Sequence, residues 1–303
     1  MEIISRFRGC LLGLAVGDAV GVTAEFQPRG TFEPVTDMLG GGVYGLHPGE
    51  WTDDTSMALC MGASLVEMGG FDARDHMERY RRWYRDGYMS STGRCFDIGC
   101  TVLDALKRYE STGDPFAGST DPMSAGNGCI MRLAPVVLFY HPDREAVLHH
   151  AAESSRVTHA AQEALDATRL FADILHRALG GASKADALAG SAPGMFASSS
   201  IQSIARRDYQ HKSEDAIRGT GYVVESLEAA LWCFWQTDSF EHAILKAANL
   251  GDDADTTAAI CGQVAGAFYG EDGIPRPWLD RLVMRLEIRS LAEALFNKQQ
   301  GQA

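Results

Sequence analysis

The sequence carries no Cys-x-x-Cys pair, no Pro- or Ser-rich linker, scarcely any apolar–polar alternation and no surplus of positive charge. Each lack removes a class of protein. Lysine and arginine number 27 against 40 aspartates and glutamates, a formal net charge of −13. Nucleic acid and anionic membrane surfaces are recognised through an excess of basic side chains, so neither is an expected partner. No apolar run approaches the roughly 20 residues of a membrane span. Met1-Glu2-Ile3-Ile4-Ser5-Arg6 lacks the cationic start and cleavage site of a secretory signal, so no export is expected. The cysteines at 10, 60, 95, 100, 129, 233 and 261 read as small hydrophobes of a reduced, cytoplasmic protein, since several sit within apolar helical runs. With nothing to divide the 303 residues, one domain over 1–303, acting as a monomer, is the expectation.

What is present is helical spacing. Phe7, Leu11, Leu14 and Ala15 share one face over residues 3–20, interleaved with Gly9, Gly13 and Gly17, which allow close backbone approach. Met57, Met61 and Leu65 repeat the pattern, as do Val223, Leu227, Ala230, Leu231 and Phe234, and later Ile260, Val264 and Phe268. Residues 72–86 read as an exposed, Arg-rich helix with a solvated charged face. Residues 149–179 are helical but interrupted at Arg156-Val157-Thr158-His159. Residues 27–49, with three prolines and Gly40-Gly41-Gly42, form a long irregular loop, and long ordered loops are often functional. Val136–Tyr140 is the best strand candidate, weakened by Pro135, and the expected fold class is all-α.

Two stretches break the ordinary pattern. Asp252-Asp253-Ala254-Asp255-Thr256-Thr257 and Thr52-Asp53-Asp54-Thr55 each open an apolar helix with clustered carboxylates and hydroxyls. Capping a helix start needs one Asp or Thr; several carboxylates this close repel unless a cation lies between them. In a compact chain the two starts can face each other, bringing together Thr52, Asp53, Asp54, Asp253, Asp255 and Thr256. The four carboxylates match two divalent ions, and all-oxygen ligation selects Mg²⁺ or Mn²⁺ over zinc.

Four further stretches hold chemistry of less obvious purpose. Asp18 and Glu25 flank a Gly-rich turn, where either is compatible with a cap or a solvated group. Asp97 stands among the apolar residues of Arg94-Cys95-Phe96-Asp97-Ile98-Gly99, as a cap or as a carboxyl whose pKa desolvation raises. Gly126-Asn127-Gly128 reads as a turn that offers backbone N–H groups to a phosphate. His159 is the one histidine singled out, and a lone histidine is more often structural than catalytic.

Taken together, five ordered motifs resemble the ADP-ribosylglycohydrolase family: Gly13-Leu14-Ala15-Val16-Gly17-Asp18-Ala19 with Glu25; Thr52-Asp53-Asp54-Thr55; Phe96-Asp97-Ile98-Gly99; Gly126-Asn127-Gly128 with Met131-Arg132; and Asp253-Ala254-Asp255-Thr256. The resemblance runs from about Phe7 to Leu279. It implies an all-helical domain that cleaves the ribose C1″ glycosidic bond of ADP-ribosylated proteins or small ADP-ribose conjugates, with two Mg²⁺ or Mn²⁺ held by the six residues named above. It also implies that Gly126, Asn127 and Gly128 hold the diphosphate and that His159 and Tyr222 line the cleft. Glu25 and Asp97 are then the carboxylates outside the metal set, placed to orient substrate or move protons. Likeness to arginine-specific bacterial members favours an arginine linkage. Three positions depart from the family pattern: Asp252 stands in place of Gly, Cys100 in place of Asn and Ala161 in place of a second His. These touch substrate-contacting positions and so bear on which linkage is cut. A two-metal phosphoesterase shares the Asp clusters but leaves Gly-Asn-Gly and Phe-Asp-Ile-Gly unexplained. A non-catalytic ADP-ribose-binding or crystallin-like protein has no need of a complete ligand set.

Overall fold

The computed structural model describes residues 1–300, so the last three positions of the expected 1–303 span lie outside the described residues. Within them the chain forms α1 (Ile3–Gly21), α2 (Asp53–Met68), α3 (Ala73–Asp86), α4 (Cys100–Thr112), α5 (Ala134–Tyr140), α6 (Arg144–Arg156), α7 (Gln162–Leu179) and α8 (Lys184–Ala189). There follow α9 (Ser199–Ala205), α10 (Val223–Gln236), α11 (Phe240–Ala248), α12 (Ala254–Tyr269), α13 (Arg276–Arg281) and α14 (Arg285–Gln300). The fold is all-α: among the described residues extended pairing is limited to isolated bridges, Gly41 with Leu46, Ser119 with His159 and Gly126 with Tyr222. The strand candidate Val136–Tyr140 is helical and belongs to α5. Pro135 lies in the first turn of that helix, where a missing N–H is harmless, and four successive buried residues, Val136 to Phe139, suit a helix enclosed on several sides.

The core is organised by α1 and α12, which bury 15 of 19 and 14 of 16 residues respectively. Helices apolar all round belong at the centre of a bundle, and these two pack antiparallel along a seam of small residues. A Cβ on Gly9 would lie 2.4 Å from the Gly266 carbonyl oxygen; one on Gly13, 2.3 Å from that of Gly262; one on Gly17, 2.1 Å from that of Ala258. Gly21 completes the row, where a Cβ would lie 2.3 Å from Asp255 Cα. The seam presses the C-terminal turns of α1 onto the acidic start of α12. Asp18 and Asp255 come together because no side chain separates the backbones.

The Arg-rich helix α3 has the expected solvated charged face, with Arg74, Arg81, Arg82 and Arg85 exposed, but its other face is buried. Arg79 is 5% exposed and pairs with Asp75 and Glu67, both at 2.6 Å, and His76, Tyr80 and Trp83 are wholly buried against α2 and its neighbours. Residues 27–49 are irregular as expected, and they lead the chain directly into the start of α2.

Candidate active site

The start of α2 is built onto Asp18. One carboxylate oxygen, Oδ1, accepts from Thr52 N at 2.9 Å and faces Thr52 Oγ1 at 3.0 Å, while Oδ2 accepts from Thr55 N at 3.0 Å and Thr55 Oγ1 at 2.6 Å. A carboxylate offers about four lone-pair sites, and these groups occupy most of them. Asp18 is therefore an anchor for the helix start, although it lies within ligand distance of Asp54 and Asp255. Burial pushes its pKa up to about 6 in spite of the hydrogen bonds.

Neither acidic start caps its own helix. Thr52 precedes α2 and Asp253 precedes α12, and neither side chain makes a capping hydrogen bond to its own helix. Thr52 Oγ1 instead lies 3.0 Å from Asp18 Oδ1 and 3.1 Å from both Asp54 Oδ2 and Asp255 Oδ2. A hydroxyl has one proton, so two of these three contacts set lone pairs against lone pairs. Asp54 Oδ1, Asp255 Oδ1 and Glu25 Oε2 are buried without any hydrogen-bond partner. The carboxyls of Asp54 and Asp255 are pushed well above the ordinary range, first by burial and then by neighbouring carboxylates. Buried anionic oxygens lacking donors are costly, and a hard divalent cation bound by oxygen satisfies them. The residues present fit such an ion.

Around this cluster opens a cleft of about 530 Å³. It is lined by Glu25, Asp53, Asp97, the Gly126-Asn127-Gly128 turn, His159, Asp253 and Thr256. Glu25 is 1% exposed, and its pKa is raised to about 10 by burial and then by Asp97 and Asp253. Asp97 has its pKa raised to about 6 by burial, against the lowering effect of Tyr44, whose hydroxyl donates to Oδ1 at 2.7 Å. It does not cap α4, whose N-cap is Gly99 and has no side-chain bond. Glu25, Asp97 and Asp255 each offer an oxygen within 4.8 Å of the others. Asn127 Nδ2 donates to Asp253 Oδ2 at 2.6 Å, tying the turn to the start of α12. His159, 2% exposed, lies directly behind Gly126 and Gly128. Tyr222 does not line the cleft: its hydroxyl donates to Glu163 at 2.5 Å and its ring borders a separate depression near Arg218 and Glu228. Its neighbours Thr220 and Gly221 supply the wall instead.

The sequence reading missed Tyr44, which meets Asp97 across 53 positions, and no local signal marks it. Phe26 and Asp252 also line the cleft, both with positive φ, +59° and +55°. They hold each other through Phe26 N–H to Asp252 O at 2.7 Å and Asp252 N–H to Gln27 O at 2.8 Å. In the sequence Asp18 is compatible with a cap or a solvated group; its place as the one acidic residue of an apolar, Gly-spaced helix is the available sign that it is buried.

Comparison with known proteins agrees with this geometry. The ADP-ribosylglycohydrolase family model matches residues 1–303. The ADP-ribosylarginine hydrolase Tri1 of Serratia proteamaculans (strain 568) is 45% identical over 295 residues, covering 97% of this chain and 80% of that protein. The ADP-ribosyl-[dinitrogen reductase] glycohydrolase of Rhodospirillum rubrum is 33% identical, covering 97% of each. A solved structure titled ADP-ribosylglycohydrolase-related protein complex superposes with a TM-score of 0.88 at 43% identity, over 98% of this chain and 99% of that one. Paired acidic helix starts, the Gly-Asn-Gly turn and these full-length likenesses lead to one assignment: the chain belongs to the ADP-ribosylglycohydrolase family and is a hydrolase.

Proposed function

We propose that the cleft releases ADP-ribose from ADP-ribosyl-arginine on protein by cleavage at ribose C1″, with two Mg²⁺ or Mn²⁺ ions held by Thr52, Asp53, Asp54, Asp253, Asp255 and Thr256. The observation that carries this reading is the convergence of two uncapped helix starts, with orphaned carboxylate oxygens, beside the Gly126–Gly128 turn. The arginine linkage is favoured by the naming of the 45% and 46% identical relatives from Serratia proteamaculans and Pseudomonas putida as ADP-ribosylarginine hydrolases. The lining chemistry agrees, because Glu25, Asp97, Asp252 and Asp253 suit a guanidinium leaving group.

When bound, divalent ions supply orientation of the ribose hydroxyls and stabilisation of developing charge. The remaining work falls to the chain. Cleavage breaks the C1″–N bond, forms a C1″–O bond from water and leaves the proton balance to an acid–base group. Asp97 has a pKa near neutrality and opens onto the cleft, so it holds or delivers that proton. Tyr44 fixes its orientation. Glu25, deeper and flanked by Asp97 and Asp255, orients the substrate, and Gly126, Asn127 and Gly128 take the diphosphate with His159 behind them. We place this action on ADP-ribosylated protein, by a monomer, in a reducing compartment such as the cytoplasm; seven unpaired cysteines accord with that compartment.

The test is release of free ADP-ribose from arginine-, serine- and O-acetyl-linked substrates, with Mg²⁺ and with EDTA. Fastest release from arginine, abolished by EDTA, is expected. Faster release from serine overturns the linkage, and full turnover in EDTA overturns the metal site.

A further inference from the structure

Arg132 is the most deeply enclosed Lys or Arg among the described residues: its side chain is fully buried, yet among those residues it has no carboxylate partner. Its guanidinium lies 4.8 Å from the ring centre of Tyr80 on α3, and Nη1 approaches Met57 Sδ on α2 at 3.5 Å. Nη2 donates to Thr158 Oγ1 at 2.6 Å, and the same hydroxyl lies 2.8 Å from His159 Nδ1. An uncompensated buried charge is expensive to keep, so this arrangement calls for a purpose beyond packing.

Proton counting supplies one. A guanidinium can only donate, so Thr158 Oγ1 accepts from Arg132. The hydroxyl then has one proton to give, and Thr158 is wholly buried, with His159 Nδ1 as its remaining neighbour. Nδ1 must therefore be the acceptor, which leaves the ring's proton on Nε2. The reverse tautomer would strand the threonine proton in a dry site. Burial, and after it the positive Arg132, also keep the ring neutral, lowering its pKa to about 3.

The backbone of His159 is equally fixed. Its N–H donates to Ser155 O at 2.7 Å, its carbonyl accepts from Ser155 Oγ at 2.7 Å, and the next amide, Ala160 N–H, donates to Ser119 O at 3.0 Å. Nε2 makes no hydrogen bond to a described residue and faces the cleft beside the Gly-Asn-Gly turn. A Cβ on Gly128 would lie 3.1 Å from it and one on Gly126 3.3 Å. Both glycines are what let the ring reach that surface.

We propose that Arg132 and Thr158 are positioning residues that hold His159 in the Nε2–H tautomer, so that it presents a constant, neutral hydrogen-bond donor to an acceptor oxygen of the ligand at the Gly126–Gly128 turn. The proposal rests on the functional reading only in taking that ligand to be the ADP-ribosyl group. The relay also ties this donor to α2, the helix that begins at Thr52-Asp53-Asp54, through the contact with Met57. A neutral donor suits a diphosphate or ribose oxygen and keeps its form across physiological pH.

The tautomer is read directly by long-range ¹H–¹⁵N correlation spectra of the full-length protein, with His159 identified by comparison with His159→Gln. The wild type should show Nε2–H and a bare Nδ1, unchanged from pH 5 to 8. A wild-type spectrum showing Nδ1–H, or an imidazolium in that range, overturns the proposal without any variant. Thr158→Val should mix the tautomers and weaken free ADP-ribose binding by roughly 10-fold, with KM raised more than kcat is lowered, while Thr158→Ser restores both. A lower melting temperature in Thr158→Val with the wild-type spectrum and KM would make Thr158 merely structural and overturn the relay. Failure of the wild-type enzyme to bind ADP-ribose would sink the functional reading instead, while the spectrum still reports on the tautomer.

Discussion

Asp143 and Asp253 occupy the same place ahead of α6 and α12 and do different things. Asp143 accepts from Ala146 N–H of its own helix at 3.0 Å. The Asp253 side chain takes no capping N–H from its own first turn and accepts from Asn127, 126 positions away. Asp72 and Thr52 repeat the contrast: the first caps α3 through Asp75 N–H at 2.9 Å, the second turns its hydroxyl toward three carboxylates. A cap is locally satisfied and so is content without outside help. An acidic start that forgoes its cap carries uncompensated charge, which only distant donors or a cation relieve. Composition at a helix start therefore does not separate a cap from a site; the direction of the side chain does.

The contrast breaks hardest at Asp255. Asp255→Asn should abolish Mg²⁺-dependent release of ADP-ribose, down to the background seen in EDTA. Because it removes one of several mutually repelling carboxyls, it should also raise the metal-free melting temperature. A metal-free melting temperature far below wild type would show Asp255 to be mainly structural.

The next largest effect is expected at Asp97, which is neither cap nor anchor. Asp97→Asn should lower turnover by roughly 10²-fold with little change in metal or ADP-ribose affinity. The backbone there has φ +58°, which Asn tolerates well, so the change is chemical and not conformational. Stability has its own signature. The carboxyl is raised from 3.8 to about 6, so the neutral form favours folding at low pH and that contribution is lost as pH rises through the folded value. In EDTA the melting advantage of Asp97→Asn over wild type should thus be absent near pH ~4 and complete by pH ~7, the window between the two pKa values. A difference that does not vary with pH would show that Asp97 ionises as freely as in the unfolded chain, and near-wild-type turnover would remove it from the mechanism.

What could be read in advance follows the same divide between local and distant. Helical spacing is a local property, so α1, α2, α10 and α12 were legible, and so was the clustering of Asp and Thr at two of their starts. Gly9, Gly13 and Gly17 announced a close approach. Their partners Gly262, Gly266 and Ala258, and the antiparallel register that follows, depend on a helix about 250 positions away by sequence numbering and had no local trace. Asp18 looked like a cap because its donors, Thr52 and Thr55, lie on another element. Tyr44 was hidden in the 27–49 loop for the same reason. Val136–Tyr140 was open to misreading because a short apolar run buried on several sides has no period to betray it.

Asp18 sharpens the comparison, as an anchor that serves the site without facing the cleft. Asp18→Asn replaces one acceptor oxygen by an NH₂ group opposite a backbone N–H donor, that of Thr52 or of Thr55, so the Thr52–Asp54 turn should loosen. Affinity for Mn²⁺, measured by titration calorimetry, should fall about 10- to 100-fold, the usual scale for a residue that orients metal ligands, while the helical circular dichroism is kept. Unchanged Mn²⁺ affinity and turnover would show that the α1–α12 seam alone sets the ligand positions.

The smallest effect belongs to the ordinary cap. Asp143→Ala strands the Ala146 N–H at the start of α6 and should lower stability by about 1 kcal/mol, within the 0.5–2 range for lost caps. Turnover and KM should not change, because Asp143 lies at the opposite end of α6 from Ser155, the residue of that helix that holds His159. Asp143→Asn should recover most of the loss, since Asn caps about as well as Asp and only the charge–dipole part, roughly 0.3–1 kcal/mol, is forgone. The pair of variants inverts the result at Asp255, where the acid is expected to cost stability in metal-free buffer and to be indispensable for activity. If Asp143→Ala lowered turnover as well as stability, the clean separation of capping acids from site acids would fail, because loss of the cap would then be felt at Ser155, the α6 residue that holds the His159 backbone.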